Sequence, residues 1–420
     1  MNVLTGILKP IIAAVQVILV LFGFQPAKQH RPLPAEGPVN VLVTGLLGYG
    51  EESGLSFPLP YFGSQDGLVN ICDELEAAGY ESYVTAAGPM SSAWDRACEL
   101  YAELTGTRVD YGEAHSKQYG HERYGREHSE PLFEGWSAQR PVNLIGHSFG
   151  GATARVFAML CDEGSAAERE ATSAAERSPL FTGGMLDRIN AIVTLASPHN
   201  GTTAFVAMPD EYSEFDFLWL EAAVNIMGND RLISRLYDLQ LDHFGLSDPP
   251  QPFGQFNAKY HCFEAVRKFL QSRDHAFYDL SLDGAAKINQ ADKIRPGVKY
   301  LSYSASLTDD IFGYHVPAIT ELGNPVLWVV SMQVGLDLGK TTSPSPEWRE
   351  NDGAVPLPSA LYPDGQPHQD APAKGLKPGV WNVMPTVHGV DHAYLAGSDP
   401  VRNGREEVMG IYLDMMDRIK

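Results

Sequence analysis

A serine set between glycines is the first place in this chain where chemistry could reside. Gly146-His147-Ser148-Phe149-Gly150-Gly151 follows the apolar run 142–145 and precedes a helical pattern over 153–161. A serine on a tight strand-to-helix turn is held in strained backbone geometry with its hydroxyl exposed. Flanking glycines remove the Cβ atoms that would clash in so sharp a turn. The positive end of the following helix then faces any negative charge that develops at the site. In a chain with 40 glycines the bare G-x-S-x-G pattern carries little, because it also describes an exposed turn serine. The strand before it and the helix after it give it weight.

A nucleophilic serine needs a base, an acid to orient that base, and backbone donors for an oxyanion. On a strand-turn-helix scaffold of this kind the order is Ser, Asp or Glu, then His, which places the base near the chain's end. The last histidines are His368, His388 and His392. His368 sits in a polar run, whereas His392 follows Gly389-Val390-Asp391 and precedes the apolar Ala393-Tyr394-Leu395. The earlier His199, His243, His261, His275 and His315 leave too little sheet before them. For the acid, Glu350-Asn351-Asp352-Gly353 offers Asp352 in a turn just past Trp348. With 52 acidic residues the choice stays open at this level, and Asp352 equally reads as an ordinary turn aspartate. The oxyanion donors expected are the Phe149 N–H and the Leu46 N–H, the latter from the glycine-rich loop 44–50. That loop lacks the lysine-hydroxyl pair of a P-loop and has the wrong glycine order for a dinucleotide fingerprint.

The elements that must position these residues alternate strand, glycine turn and helix. The patterns predict strands over 39–43, 80–85, 142–145, 189–195 and 299–303, and helices over 68–78, 94–104 and 153–161. Repeated crossovers of this type build a mostly parallel sheet flanked by helices, an α/β fold. Two stretches, 109–139 and 205–273, break the alternation and read as insertions at the sheet's carboxyl edge within one elaborated domain spanning 38–420. The chain's 420 residues are 44% apolar and 20% charged, which is globular composition. A net charge of −21 argues against nucleic-acid binding and against docking on anionic membranes. Four scattered cysteines make no C-x-x-C pair and leave the redox compartment undetermined. Residues 1–26 carry one cation, Lys9, before an apolar run, and residues 27–37 form a polar, proline-rich linker. This reads as a secretory signal, with an uncleaved membrane anchor or a buried element of the domain as alternatives.

Several longer stretches carry a resemblance. They are 88–99 (Gly-Pro-Met-Ser-Ser-Ala-Trp-Asp-Arg-Ala-Cys-Glu), 110–115 with Gly120-His121, 197–203, Tyr237-Asp238-x-x-Leu241-Asp242, 350–353 and Val390-Asp391-His392. In these the chain resembles the thermophilic Bacillus/Geobacillus lipases and their staphylococcal relatives, which have an α/β-hydrolase fold. The resemblance implies Ser148 as nucleophile, Asp352 as acid and His392 as base. It puts Leu46 where the family usually has phenylalanine, and Thr44 where it has histidine. It also implies a structural zinc held by Asp95, His115, His121 and Asp242. Two imidazoles and two carboxylates suit tetrahedral zinc. Spacing alone does not identify that site, because His115 and His121 are six residues apart and do not share one helical face. A calcium site is implied at Gly323, Asp399 and Pro400. Tyr394 stands there in place of an expected glutamate, which weakens such a site.

Residues 214–228 present a wide apolar face with one polar stripe through Glu214, Glu221 and Asn225. They read either as a lid that opens at an oil–water interface or as a core helix. The implied activity is hydrolysis of lipid esters at such an interface through an acyl-enzyme. Alternatives are another serine hydrolase, such as a phospholipase or thioesterase, or a surface-binding protein with a decayed site. The resemblance implies secretion, or anchorage through an uncleaved N-terminal segment.

Overall fold

The computed structural model describes residues 37–48, 61–63, 70–204, 239–246, 262–318, 324–338, 343–397 and 405–420. The signal or anchor and most of the linker at 1–37, the lid segment 214–228 and the calcium residues Gly323, Asp399 and Pro400 lie outside the described residues.

Among the described residues, seven strands form one sheet: β1 (Val39–Val43), β2 (Ser82–Val84), β3 (Val142–His147), β4 (Ile189–Leu195), β5 (Lys299–Tyr303), β6 (His368–Asp370) and β7 (Trp381–Val383). Their order is β6-β7-β5-β4-β3-β1-β2, and every pairing is parallel. A parallel sheet carries its crossovers on both faces, so its strands are buried on both sides and read as apolar runs. The side chains of β1 divide accordingly. Val39, Val41 and Val43 pack with α2 (Ala93–Thr105) and α3 (Phe149–Glu163). Leu42 faces the other layer, built by α1 (Ile71–Ala77) and the C-terminal helix α5 (Arg405–Ile419). Helix α4 (Pro325–Gly335) lies between them in sequence and packs beside the antiparallel hairpin Thr308–Ile311/Tyr314–Pro317.

Local signals account for the helix that matters most to the site. Ser92 Oγ accepts the Asp95 N–H at 3.1 Å, which caps the start of α2, and Gly106 ends it in the left-handed conformation at φ 62°. The stretch 109–139 contributes a short helix, Glu113–Tyr119, and the antiparallel pair Arg108–Asp110/Tyr124–Glu127. No helix among the described residues is long and apolar enough to cross a membrane.

Strand order positions the chemistry. The chain runs outward from β1 to β2, returns to β3 on β1's other side, and then continues away. The crevice beyond the carboxyl ends of β1 and β3 is therefore a topological switch point, where open α/β sheets bind ligands. The loop 44–48 leaves β1 there, and Ser148 leaves β3 there.

Candidate active site and metal centre

Ser148 sits at φ 54° and ψ −127°, a backbone region that a residue with a Cβ rarely occupies. The surroundings hold it there. The Ser148 N–H donates to the Leu195 carbonyl on β4 at 2.8 Å. A Cβ on Gly146 would lie 2.5 Å from the Gly150 carbonyl carbon, and one on Gly150 would collide with the Val43 and Thr44 carbonyl oxygens. The helix after the elbow starts at Phe149, four residues before the helical pattern is legible in the sequence. Phe149 N–H is thus the first of α3, and such first-turn donors have no partner within the helix. The Leu46 N–H belongs to the loop that leaves β1. Its neighbours are committed elsewhere: Leu47 N–H bonds Pro89 O at 2.9 Å and Gly45 N–H bonds the Tyr61 hydroxyl at 2.7 Å.

A buried cation stiffens both donor segments. Arg96 on α2 donates to the Thr44 carbonyl, to Gly88 O at 2.7 Å and to Thr153 Oγ1 at 2.9 Å, and its guanidinium lies 5.4 Å from the Phe149 ring centroid. Nothing in the sequence singles out Arg96 beyond its place in the resemblance.

His392 and Asp352, far apart in sequence, are in contact. His392 Nδ1 lies 2.7 Å from Asp352 Oδ2, and the His392 N–H also donates to the Asp352 carbonyl at 2.8 Å. Asp352 is fully buried, and its Oδ1 accepts the Ala354 and Val355 N–H groups at 2.9 and 2.8 Å. Asn351 Nδ2 reaches the Ser331 carbonyl on α4 at 3.3 Å, which braces this turn from outside. Burial works against charging the His392 ring. The Asp352 carboxylate, through its charge and its hydrogen bond, together with Asp391, outweighs that and holds the ring above the usual histidine value. His147 connects this pair to the elbow: its Nε2 lies 2.8 Å from the His392 carbonyl. The other late histidines are occupied elsewhere. His368 stacks on Tyr362, and His388 faces Glu350 at 3.8 Å on the surface.

The second polar centre corrects one expectation. Asp95, His115 and His121 converge, and the fourth member is Asp274, not Asp242. Ligand atoms of these four residues all lie within 4.8 Å of one another. His115 Nε2 is 3.2 Å from Asp95 Oδ1 and 3.1 Å from Asp274 Oδ2, and His121 Nε2 is 3.1 Å from the same Asp274 oxygen. Asp242 is 45% exposed and turns outward to pair with Arg126, 2.8 Å from its Nε. Its neighbour His243 turns inward instead and bonds Asp95 Oδ2 at 3.1 Å. Asp274 lies in the break between the helices Cys262–Ser272 and Ala276–Asp279. An acid in such a break is not distinguishable, in one sequence, from a capping aspartate.

The donor set fits a metal ion. Asp95 Oδ1 and His121 Nε2 are buried and have no hydrogen-bond partner outside the cluster, as expected of atoms that face a cation. His121 Nδ1 lies 2.8 Å from the Glu122 carbonyl, so Nδ1 carries the proton and Nε2 offers its lone pair. Trp94 stacks on His115 at 4.9 Å, and Glu168 caps the helix carrying His115 by accepting its N–H at 2.8 Å. Nothing in the sequence assigns His243 or Glu168 to this cluster.

The comparisons agree with this architecture. Residues 36–419 match the family model described as "Lipase-like, C-terminal domain". The chain is 32% identical over 388 residues to a lipase of Staphylococcus epidermidis, covering 90% of this chain and 53% of that protein. It is 34% identical over 392 residues to Lipase 2 of Staphylococcus aureus, covering 89% and 53%. The chain thus spans about half the length of these curated relatives. Among solved structures it is similar to Staphylococcus hyicus lipase (TM-score 0.79, 29% identity, 93% of this chain and 97% of that one). It is also similar to EstA from Clostridium botulinum (TM-score 0.73, 28% identity, 96% and 98%). With a parallel sheet, a strained serine elbow and these relatives, the chain belongs to the lipase-like C-terminal domain family, on an α/β-hydrolase fold.

Proposed function

We propose that this chain is a carboxylic ester hydrolase of the lipase type, acting on acylglycerol esters through an acyl-enzyme on Ser148. In this reading His392 Nε2 takes the Ser148 proton, and the serine oxygen attacks the ester carbonyl. The Leu46 and Phe149 N–H groups receive the oxyanion, and His392 returns its proton to the leaving alcohol before water releases the acyl group. Asp352 holds the ring with its Nδ1 proton inward and stabilises the imidazolium. The observation that carries this reading is the 2.7 Å pair of His392 with the buried Asp352, joined through His147 to a serine at φ 54°.

An apolar surface beside the acid supports a lipid over a small soluble ester. Val326 and Val329 on α4 are 69% and 61% exposed, and Phe312 at the hairpin tip is 99% exposed. Leu327 of the same helix packs on Ala354 and Val355, next to Asp352. Apolar surface of this kind suits an oil interface, and the charge of −21 favours an uncharged one. The apolar sequence 214–228 is proposed to serve as a lid, and residues 1–26 as a signal that exports the chain.

The cluster Asp95, His115, His121 and Asp274 is proposed to hold zinc. A closed set of four protein ligands would serve structure, pinning the segment 108–127 to α2, rather than chemistry.

The test is a fluorophosphonate probe on the purified chain between about pH 6 and 9, a window set around histidine titration. Labelling of the native chain and none of Ser148→Ala supports the reading, and absence of labelling throughout overturns it. Hydrolysis of long-chain esters that rises sharply above their solubility limit supports a lipase. Equal rates on dissolved short esters and none on emulsions point to a plain esterase.

A further inference from the structure

One polar chain in the site has no role in the chemistry just described. Tyr61 lies 86 residues from His147 in sequence, yet its hydroxyl is 2.6 Å from His147 Nδ1. The same hydroxyl is 2.7 Å from the Gly45 N–H, and the other His147 nitrogen, Nε2, is 2.8 Å from the His392 carbonyl. The directions follow from what each group can do. A carbonyl only accepts, so His147 Nε2 carries a proton. In a neutral ring Nδ1 then accepts, so the Tyr61 O–H donates to it. The tyrosine oxygen keeps a lone pair for the Gly45 N–H. Burial, with His392 beside it, keeps the His147 ring neutral by pulling its proton affinity well below the usual histidine value. The chain therefore has one polarity: Gly45 N–H to Tyr61, Tyr61 O–H to His147, His147 N–H to His392.

Each end of this chain touches a different part of the site. Gly45 immediately precedes Leu46, the loop donor. His147 immediately precedes Ser148. The His392 carbonyl belongs to the base itself. The fit at Gly45 is steric as well as polar: a Cβ there would collide with the Tyr61 hydroxyl and lie 2.7 Å from Ser148 Cβ. Tyr61 also packs edge-on against His147, with ring centroids 5.5 Å apart. The groups so joined sit on the chain after β1, the carboxyl end of β3 and the loop carrying His392, and the sheet alone does not set their relative positions to tenths of an ångström.

We propose that Tyr61 and His147 are positioning residues, a neutral hydrogen-bond relay that sets the loop donor and the base against the elbow. The proposal rests on the hydrolase reading. Displacing reacting groups by about 1 Å can lower a rate about a hundredfold, so loss of a brace shows in turnover rather than in substrate binding.

The experiment measures kcat per Ser148 titrated by the fluorophosphonate probe, with KM and thermal melting alongside. Tyr61→Phe is expected to lower kcat per titrated serine by about tenfold to a hundredfold, with KM within about threefold and an unchanged melt. His147→Gln, whose amide can accept and donate in the same places, is expected to retain more kcat than His147→Leu. In the His147→Leu background, Tyr61→Phe should have little further effect, because the relay is already broken. An unchanged kcat per titrated serine in Tyr61→Phe overturns the proposal. So do losses that multiply independently in the double variant. One readout needs no turnover and separates this proposal from the hydrolase reading: the 15N shifts of the His147 ring. They are expected to show Nε2 protonated and Nδ1 bare, and the opposite tautomer overturns the relay even in an active enzyme.

Discussion

The elbow holds Ser148 by backbone sterics, whereas the Asp95 cluster holds four side chains by charge. At the elbow, six consecutive residues supply the geometry, and glycines allow helix α3 to approach β1 so closely that no Cβ fits between them. At the cluster, residues from three segments supply the ligands, and His115 and Asp274 are 159 positions apart. The two centres are nonetheless adjacent along one helix. Asp95 points into the cluster, and Arg96, the next residue, points to the Thr44 carbonyl of the oxyanion loop. Steric sites thus tolerate almost no added volume, and charged sites tolerate almost no lost partner. The link through α2 suggests where damage to one reaches the other.

The largest effect expected is at the nucleophile. Ser148→Ala should lower kcat by on the order of 10⁵-fold or more in ester hydrolysis and abolish probe labelling. Asp352→Asn should follow at about 10⁴-fold, because the ring loses the partner that sets its tautomer. The pH profile sharpens this. The base acts when neutral, and Asp352 holds His392 above the usual histidine value, so kcat/KM should fall as pH drops through that raised value. In Asp352→Asn the residual activity should keep its rate to lower pH, and an unshifted limb in the variant would break the assignment of the limb to His392.

Next in size is the steric test. Gly150→Ala places a methyl against the Val43 and Thr44 carbonyl oxygens, which are backbone and cannot swing away. A loss of about 3 kcal/mol in urea unfolding is expected. A near-neutral result would show that the elbow yields more than its packing implies.

The electrostatic counterpart is a pair of variants. Metal analysis should find about one zinc per native chain, none in Asp274→Ala, and native content in Asp242→Ala. At a free zinc level 1,000 times the dissociation constant, the bound ion would add about 4 kcal/mol, which Asp274→Ala and chelation should both remove. Asp242→Ala is the smallest effect of all. It breaks one surface pair with Arg126 and should change stability by less than about 1 kcal/mol. Zinc lost in Asp242→Ala but kept in Asp274→Ala would reverse the correction.

Much of the framework is legible before folding. The strands 39–43, 189–195 and 299–303 have the bounds their mostly apolar runs predict, because a sheet buried on both faces favours apolar side chains on both. Helix α2 runs Ala93–Thr105 against an expected 94–104, since Ser92 and Gly106 mark its ends. Helix α3 begins at Phe149 and not at Thr153, because Gly150-Gly151 hides its first turn from any propensity argument. The edge strand His368–Asp370 and its neighbour Trp381–Val383 are three residues each, too short to show a period.

Within the candidate site, Ser148 is legible because its geometry is local: a strand, a sharp turn and a helix are written in adjacent residues. Asp352 and His392 are legible only through order along the chain and resemblance, and their 2.7 Å contact belongs to the fold. Sequence by itself determined the alternation of elements, and with it the parallel sheet and the edge at which function sits. Only tertiary structure decided that Asp274 closes the cluster while Asp242 faces Arg126, and that Tyr61 reaches His147. Such contacts join residues tens to hundreds of positions apart, and Coulomb attraction and hydrogen bonding depend on distance in space, which no local pattern encodes.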